Sequence, residues 1–493
     1  MKLYIDGNVN RYYVQNLCMI FFPGVKFAED EEITEDTPIV SVTVCCDDEG
    51  AHAEAEIRIG DKSKCGSYTE LRRDDFTEER MIKLAVGAAV FDAGRQFFGV
   101  RPSWGMVTGV RPAKIAAEML AAGKGVTEIK EILRNHYFMN PKKAALLTDI
   151  ARREAKIVKN LGDNTCSVYI SIPFCPTRCA YCSFVSYSTN RLLSLIPEYL
   201  DRLILDIDRL FETIRACGVR PVTVYIGGGT PTTLNEAQLE RLLDAVCRNV
   251  DVSTLMEFTL EAGRPDTVTA AKLASAKAHG VTRVSINTQT LNNEVLERIG
   301  RRHTAEDYYK AFELARAAEI PIINTDLIAG LPGEDFASFS RTMDAIINLR
   351  PENITVHTFC VKKSADIIKS GTDIYSRSGG ETGKSIDYSQ VKAKLAGYKP
   401  YYCYKQRNSI GNFENVGFSL EGTEGLYNIF MMEEVHHIFA AGAGSVTKLV
   451  SKSPAKINRI FMPKYPYEYL AMEKEPEKME NYYKEILDYF NVQ

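Results

Sequence analysis

The chain has 493 residues, 45% of them hydrophobic and 25% charged, with 60 basic against 64 acidic side chains and a formal charge of −4. That length calls for two or three domains of ordinary globular composition, and the charge balance, with no basic stripe, argues against a general nucleic-acid binder. No apolar stretch approaches the length that crosses a bilayer, Met1-Lys-Leu-Tyr-Ile-Asp6 is not a signal peptide, and twelve scattered cysteines fit a reducing compartment, so the expectation is a cytoplasmic protein.

Residues 1–70 read as a small strand-rich unit, with alternation over Ser41–Cys45 and Glu54–Ile59 around the turn Asp47-Asp48-Glu49-Gly50. From 77 to 160 the pattern is helical: Thr77 can cap one helix, with Glu78 and Glu79 in its first turn, and Asn140-Pro141 can start the last. Between them Trp104, the only tryptophan, is read as a packing anchor between domains. Together these make an N-terminal α+β extension over 1–160.

After Asp163 the texture becomes alternating strand and helix. Six strands are expected, at Val168–Ile172, Thr223–Ile226, Glu257–Glu261, Arg283–Asn287, Ile322–Leu327 and Ile354–Thr358, with helices including Leu192–Ala216, Glu236–Cys247 and Phe336–Ile347 between them. Six parallel βα repeats over 165–360 imply an α/β fold, a partial (β/α)6 barrel, with reacting groups at the C-terminal ends of the strands. From 361 a polar stretch through Lys362, Lys363 and Ser376 to Glu381 reads as a loop or lid. A helix at Ile386–Ala396, an aromatic run from Tyr398 to Arg407 and an α-rich C-terminal domain, 361–493 in all, complete the chain.

Directly after the first barrel strand comes Ile172-Pro-Phe-Cys-Pro-Thr-Arg-Cys-Ala-Tyr-Cys-Ser-Phe184. Structural zinc takes four closed ligands, usually as two separated pairs, whereas Cys175, Cys179 and Cys182 form a tight trio with no fourth Cys or His in the loop. Three thiolates suit three corners of a cubane iron–sulfur cluster and leave the fourth iron open for chemistry. The remaining cysteines read mostly as small core residues. At the other strand ends stand Tyr225-Ile-Gly-Gly-Gly-Thr-Pro-Thr232, whose glycines permit close approach by a ligand, then Glu261, Gln289 and Asp326, while Arg301 reads either as a partner for a carboxylate or as a solvated helix-end cation.

The C-x3-C-x2-C spacing with Tyr181 before the third Cys resembles the radical S-adenosylmethionine (SAM) superfamily. The resemblance implies a [4Fe-4S] cluster on Cys175, Cys179 and Cys182 whose open iron chelates SAM, and one electron that cleaves SAM to methionine and a 5′-deoxyadenosyl radical. It sharpens to the oxygen-independent coproporphyrinogen III oxidase family over 166–358. The runs that carry it are Tyr169-x-x-Ile-Pro-Phe-Cys175, Gly227–Thr232, Gly280-Val-Thr-Arg-Val-Ser285, Gln289, Ile299-Gly-Arg-Arg-His-Thr304 and Asn324–Glu334. The long N-terminal extension, Trp104–Pro112, Tyr401–Arg407 and Gly411–Gly417 resemble its extended coproporphyrinogen dehydrogenase (HemZ-type) branch. By that similarity Tyr169, Tyr181, Gly228, Gly229, Thr230, Glu261, Gln289, Arg301 and Asp326 contact SAM, with the glycine loop at its amino group. A tetrapyrrole is the implied substrate, and a flavodoxin- or ferredoxin-type protein the implied low-potential electron donor.

The implied reaction is anaerobic oxidative decarboxylation of coproporphyrinogen III to protoporphyrinogen IX. Its four carboxylates would suit a basic, aromatic surface of Lys362, Lys363, Lys405, Arg407, Tyr401 and Tyr404. The chain departs from decarboxylating relatives at Ser171, where they carry His, and at Phe184, where they carry a further Cys. It departs from heme-chaperone relatives at Tyr427-Asn-Ile-Phe-Met-Met432, where they carry His-Asn-x-x-Tyr-Trp. Heme carriage, or another radical reaction on a tetrapyrrole, is the alternative reading, with His357, His436 and His437 as candidate axial ligands among seven histidines.

Overall fold

The computed structural model describes residues 1–27, 33–73, 76–182, 186–360, 380–406, 409–451 and 456–491. In chain order the elements are β1 (Lys2–Asp6), α1 (Arg11–Phe21), β2 (Ile39–Cys46), β3 (Gly50–Ile59), β4 (Lys62–Leu71), α2 (Glu78–Phe98), α3 (Ala113–Ala121), α4 (Val126–Asn135) and α5 (Pro141–Lys159). Then follow β5 (Thr165–Ile172), α6 (Asn190–Leu193), α7 (Ile196–Ala216), β6 (Arg220–Gly228), α8 (Glu236–Cys247), β7 (Glu257–Glu261), α9 (Ala270–Ala278), β8 (Arg283–Ser285), α10 (Asn293–Arg298), α11 (Ala305–Ala317), β9 (Ile322–Ala329), α12 (Phe336–Leu349) and β10 (Asn353–Thr358). The last are α13 (Gly380–Leu395), β11 (Lys399–Lys405), β12 (Glu414–Ser419), α14 (Leu426–Glu433), β13 (His437–Ala441), β14 (Val446–Val450), β15 (Ile457–Phe461), α15 (Pro466–Ala471) and α16 (Pro476–Asn491). Two compact units result: Met1–Arg152 with the described residues of Thr372–Lys384 and Cys403–Asn415, and the rest of the described chain.

In the first unit the sheet order is β1-β2-β3-β4, with β1 parallel to β2 and the others antiparallel. Alternation puts Val40, Val42 and Val44 of β2 and Ala51, Ala53, Ala55 and Ile57 of β3 into the core. The helix α2 begins where Thr77 Oγ1 accepts the Arg80 N–H (3.3 Å), with Glu78 and Glu79 favourably placed against the helix dipole. It packs so close to β4 that a Cβ on Gly66 would come 2.4 Å from the Ala89 carbonyl oxygen. Asn140 Oδ1 caps α5 by accepting from the Lys143 amide (2.8 Å).

Trp104 is an anchor inside this unit. It is 1% exposed, and its Nε1 donates to Glu414 Oε2 (2.7 Å), whose other oxygen pairs with the buried Lys143 ammonium. Lys405 lies over the Trp104 ring at 5.2 Å and donates to the Val107 carbonyl (2.8 Å). Burial pushes the Lys405 ammonium down to about 7, with Glu414 opposing the shift. Lys405 is thus part of a closed polar cluster and not of a substrate-facing surface. Tyr401, in the other unit, is equally buried and packs on Tyr402 (centroids 4.9 Å), so it too leaves the expected carboxylate-binding face. Tyr404 is half-buried, Lys362, Lys363, Arg407 and residues 361–379 of the expected loop or lid lie outside the described residues, and its last residues, Gly380 and Glu381, begin α13 instead.

The larger sheet, of which only Cys403–Lys405 of β11 and Glu414–Asn415 of β12 fall outside the second unit, has the order β11-β12-β10-β9-β8-β7-β6-β5-β13-β14-β15. The six expected strands are all present as β5–β10, parallel and in sequential order, with helices in the connections. Their apolar runs, such as Val168, Ile170 and Ile172 or Val222, Val224 and Ile226, are buried as strands covered on both faces must be. The sheet stays open as a partial barrel. The C-terminal segment, expected to be helix-rich, has helices among its described residues and also supplies five strands: β11 and β12 beyond β10, and β13, parallel to β5, followed by β14 and β15.

Candidate active site

The cysteine loop leaves the C-terminal end of β5, where a parallel barrel places its chemistry. The Cys175 amide donates to the Tyr187 carbonyl (3.0 Å) and the Tyr187 amide to the Pro173 carbonyl (2.9 Å), closing the loop at its base. Its tip is tied to the segment after α10: the Ala180 amide donates to the Ile299 carbonyl (2.9 Å) and Thr177 Oγ1 to the Gly300 carbonyl (3.1 Å). Gly300 has φ +77°, and a Cβ there would meet the Arg178 carbonyl oxygen at 3.0 Å. Cys175 is buried and Cys179 and Cys182 are half-buried, none of the three in a disulfide. Burial raises the Cys175 pKa to about 11, Thr230 Oγ1 at 3.3 Å lowers it, and the neighbouring Cys182 and Cys179 raise it further. Cys182 and Cys179 are close enough to Cys175 to act on its ionisation, while among the described residues no three His, Cys, Asp or Glu side chains are gathered as a metal site. Phe184 lies outside the described residues.

The glycine loop is stitched to the cysteine loop. The Gly229 and Thr230 amides donate to the carbonyls of Ile172 (2.8 Å) and Phe174 (2.7 Å), and a Cβ on Gly229 would come 2.6 Å from Phe174 O. The Gly228 amide, at φ +112°, donates to Glu261 Oε2 (3.2 Å). With those N–H groups used internally, carbonyl oxygens are what the loop offers to a ligand ammonium.

Glu261 Oε1 accepts from the Tyr225 hydroxyl (2.5 Å). Burial pushes its carboxyl up to about 7; the Tyr225 hydrogen bond pulls down, the nearby Asp326 charge pushes up, and the Gly228 amide pulls down. Beside it Tyr169, Tyr225 and Tyr427 form an aromatic stack, with Tyr225 4.5 Å from Tyr427 and Tyr169 within 6.1 Å of both. Tyr225 and Tyr427 are neighbours that the sequence reading did not assign to the site. Tyr225 had a signal, being two residues before the glycines on the inward period; Tyr427, on α14, had none.

Arg301 is buried, and its Nη1 donates to the carbonyls of Asn287 (2.5 Å) and Gly263 (3.3 Å). Burial disfavours its charge, but the Tyr181 and Cys179 side chains beside it outweigh that and keep it protonated. Arg264 reinforces the same loop, donating to Thr177 Oγ1 (2.8 Å) with Cys179 Sγ 3.8 Å away. Gln289 is held at φ +72°, an uncommon conformation for a side-chain-bearing residue, by hydrogen bonds to Asp326 O and from Ile328 N (3.0 Å each). For Asp326, burial pushes the pKa up, but His357, Asn324 and Thr355 outweigh it and hold the carboxyl low; Asn324 Nδ2 is 2.8 Å away and His357 Nε2 3.7 Å.

Among the described residues Gln289 Oε1 and Arg301 Nε are buried with no hydrogen-bond partner. Buried polar atoms are ordinarily paired, so this group, whose Arg301 lies beside Cys179, fits a site for a polar ligand. The heme-ligand candidates fit less well. Both nitrogens of His436 are engaged, Nε2 with Ser167 Oγ (2.8 Å) and Nδ1 with Thr165 Oγ1 (3.2 Å), and burial lowers its pKa to about 3. His437 Nδ1 accepts from the Val450 amide (3.1 Å), and His357 faces Asp326.

A model of the radical SAM superfamily matches residues 169–346. The oxygen-independent coproporphyrinogen-III oxidase-like protein HemZ of Bacillus subtilis is 32% identical over 483 residues, covering 97% of this chain and 94% of that protein. The heme chaperone HemW of Bacillus subtilis is 32% identical over 310 residues, covering 61% of this chain and 77% of that one. The solved structure of coproporphyrinogen III oxidase (HemN) from Escherichia coli, a radical SAM enzyme, shares the fold, with TM-score 0.50 over 65% of this chain and 71% of that chain at 20% identity. With its cysteine loop on the first of six parallel strands and one relative similar along nearly its whole length, this chain belongs to the radical SAM superfamily, in the oxygen-independent coproporphyrinogen III oxidase-like, HemZ-type branch, whose cofactors are a [4Fe-4S] cluster and SAM.

Proposed function

We propose that this chain is a radical SAM enzyme that oxidatively decarboxylates propionate side chains of coproporphyrinogen III to vinyl groups, two turns giving protoporphyrinogen IX. In this reading it works in the cytoplasm with a low-potential donor of flavodoxin or ferredoxin type. The observation that carries the cofactor half is the convergence of Glu261, Gln289, Arg301 and Asp326 beside the cysteine loop, with buried polar atoms of Gln289 and Arg301 lacking partners among the described residues. Similarity to the HemZ relative along nearly the whole chain supports the substrate half. When bound, cluster and SAM supply a carbon radical able to take a hydrogen atom.

Cys175, Cys179 and Cys182 hold the cluster, and Arg301 and Arg264 neutralise part of the thiolate charge beside Cys179. Tyr169, Tyr181, Gly228, Gly229, Thr230, Glu261, Gln289, Arg301 and Asp326 would hold SAM, with glycine-loop carbonyls available to its ammonium and the two carboxylates able to accept from ammonium or ribose hydroxyls. Ser171, the position of the departure from decarboxylating relatives, donates to the Ala443 carbonyl (2.8 Å) and lies beside Gly228.

Anaerobic incubation with SAM, reductant and coproporphyrinogen III tests the proposal. The expected products are 5′-deoxyadenosine formed faster with porphyrinogen present, vinyl-bearing tetrapyrrole and carbon dioxide. Stoichiometric heme transfer without porphyrinogen turnover overturns the enzyme reading in favour of a carrier like the HemW relatives.

Glu261→Ala and Asp326→Ala should keep the cluster but weaken SAM binding by about 1.5–3 kcal/mol each, the loss of a hydrogen bond to a charged group. Because the Glu261 carboxyl sits near pH 7 and only its ionised form accepts fully, wild-type SAM affinity should rise as pH increases through about 7. Glu261→Gln should flatten that rise. Calorimetric titration at several pH values checks both, and unchanged affinity in the two alanine variants removes these positions from the SAM site.

A further inference from the structure

Between β8 and α10 the chain runs through Asn287-Thr-Gln-Thr-Leu-Asn292. Gln289, in its middle, has a left-handed backbone (φ +72°), a conformation that a residue with a side chain keeps only where its surroundings over-determine it. Its side-chain Oε1 is buried without a partner among the described residues, so the backbone is held while the amide waits for a ligand. On one side the holding is done by β9: the Gln289 amide donates to the Asp326 carbonyl and the Ile328 amide to the Gln289 carbonyl, 3.0 Å each.

On the other side it is done by side chains, and Thr290 is their centre. Fully buried, it donates its hydroxyl to Glu334 Oε1 (2.5 Å), accepts the Asn292 amide on the same oxygen (3.1 Å), and accepts Thr288 Oγ1 on its carbonyl (2.5 Å). Glu334 Oε1 takes a second hydroxyl, Ser338 Oγ of α12 (3.2 Å), which in turn accepts from Asn292 Nδ2 (3.0 Å). The Leu291 amide donates to Thr342 Oγ1, also on α12 (3.2 Å). A hydroxyl has one proton to give, so a carboxyl oxygen that accepts from both Thr290 and Ser338 leaves both free to accept from Asn292. The residues flanking Gln289 are thereby fastened to the start of α12, and none of these bonds uses the Gln289 side chain.

We propose that Thr290 and Glu334 are positioning residues for SAM, which hold the left-handed turn at Gln289 and so keep its side-chain amide aimed at the cofactor. Neither contacts SAM in this account; both act through Gln289. The inference rests on the assignment of Gln289 to the SAM site.

The test measures SAM affinity by calorimetry on the full chain with its cluster bound, and stability by urea unfolding in parallel. Thr290→Val and Glu334→Leu should each weaken SAM binding about tenfold, and Thr290→Ser, which keeps the hydroxyl, should stay within about twofold of the wild type. Gln289→Ala should weaken binding by itself. Adding Thr290→Val or Glu334→Leu to Gln289→Ala should then change affinity less than about twofold, because the group they position is gone. A merely structural pair would lower the urea midpoint and leave affinity alone, or would weaken binding by the same factor with and without Gln289. Either result overturns the proposal, as does a loss in Thr290→Ser as large as that in Thr290→Val. Unchanged affinity in Gln289→Ala overturns the assignment of Gln289 to SAM and this inference with it. Weakened affinity in Gln289→Ala alone, with wild-type binding in Thr290→Val and Glu334→Leu, overturns only this inference.

Discussion

Cys175→Ala, Cys179→Ala and Cys182→Ala should each abolish the iron–sulfur absorbance of anaerobically reconstituted protein, with iron and sulfide falling together and SAM cleavage lost. Three thiolates are the minimum that can hold a cubane while one iron stays open, so no remaining pair can substitute. The loop should survive the change, because its fold rests on contacts that do not involve sulfur: Cys175 N to Tyr187 O, Ala180 N to Ile299 O, and Arg264 to Thr177. Circular dichroism and melting temperature are therefore expected to stay near wild type while the metal is lost. Cys247→Ala is the matched control. That half-buried thiol donates to the His279 carbonyl (3.4 Å) after α8, and the variant should keep iron and sulfide. Full zinc occupancy with no iron in the wild type, or metal retained by all three loop variants, would remove the assignment.

The cysteine loop was legible because its three thiols are close together in the sequence. The six parallel strands were legible for a related reason: each is a short apolar run buried on both faces, and helical spacing fills each gap. The flanking strands were not. β13 joins β5 as a parallel neighbour across a separation of about 270 residues, from His437↔Cys166 to Ala441↔Ile170, and a short apolar run such as Ile438-Phe-Ala-Ala441 carries no mark of its partner.

Lys405 shows the same limit from the other side. Its surroundings, Tyr401-Tyr-Cys-Tyr-Lys-Gln-Arg407, have the texture of a basic aromatic surface, yet its ammonium is buried on the Val107 carbonyl, 298 residues away in sequence. Glu261, Gln289 and Asp326 stood out as candidates because strand ends are where a barrel keeps its chemistry. The strained backbone of Gln289 is visible only in the structure. Tyr427 was noticed only as a departure from the heme-chaperone pattern; its place against Tyr225 depends on how α14 is held.

What holds α14 is a buried ion pair, and its removal should have the largest effect on stability outside the barrel core. Glu257, at the start of β7, pairs with Arg283 of β8 at 3.1 Å, and both are almost fully buried. The same carboxylate accepts the first amides of α14, Leu426 N at 2.8 Å and Tyr427 N at 3.2 Å, while Arg283 Nη2 donates to the carbonyls of Thr423 and Glu424. Glu257→Ala leaves a buried guanidinium without its counter-charge and uncaps the helix, at a cost of about 3–5 kcal/mol. A lowered urea midpoint at unchanged slope would read this out.

The double variant Glu257→Leu/Arg283→Met separates charge from position. Apolar side chains of similar size often replace a buried pair with little loss, so much of the stability should return. SAM affinity should not, because a leucine cannot accept from Leu426 N and Tyr427 N, and the aromatic stack of Tyr427 on Tyr225 beside Glu261 is left without its anchor. Recovery of both stability and SAM affinity in the double variant would show that packing alone positions α14. Recovery of stability alone makes Glu257 a positioning residue for the site, acting from the opposite end of β7 through a helix that returns to it 169 residues later.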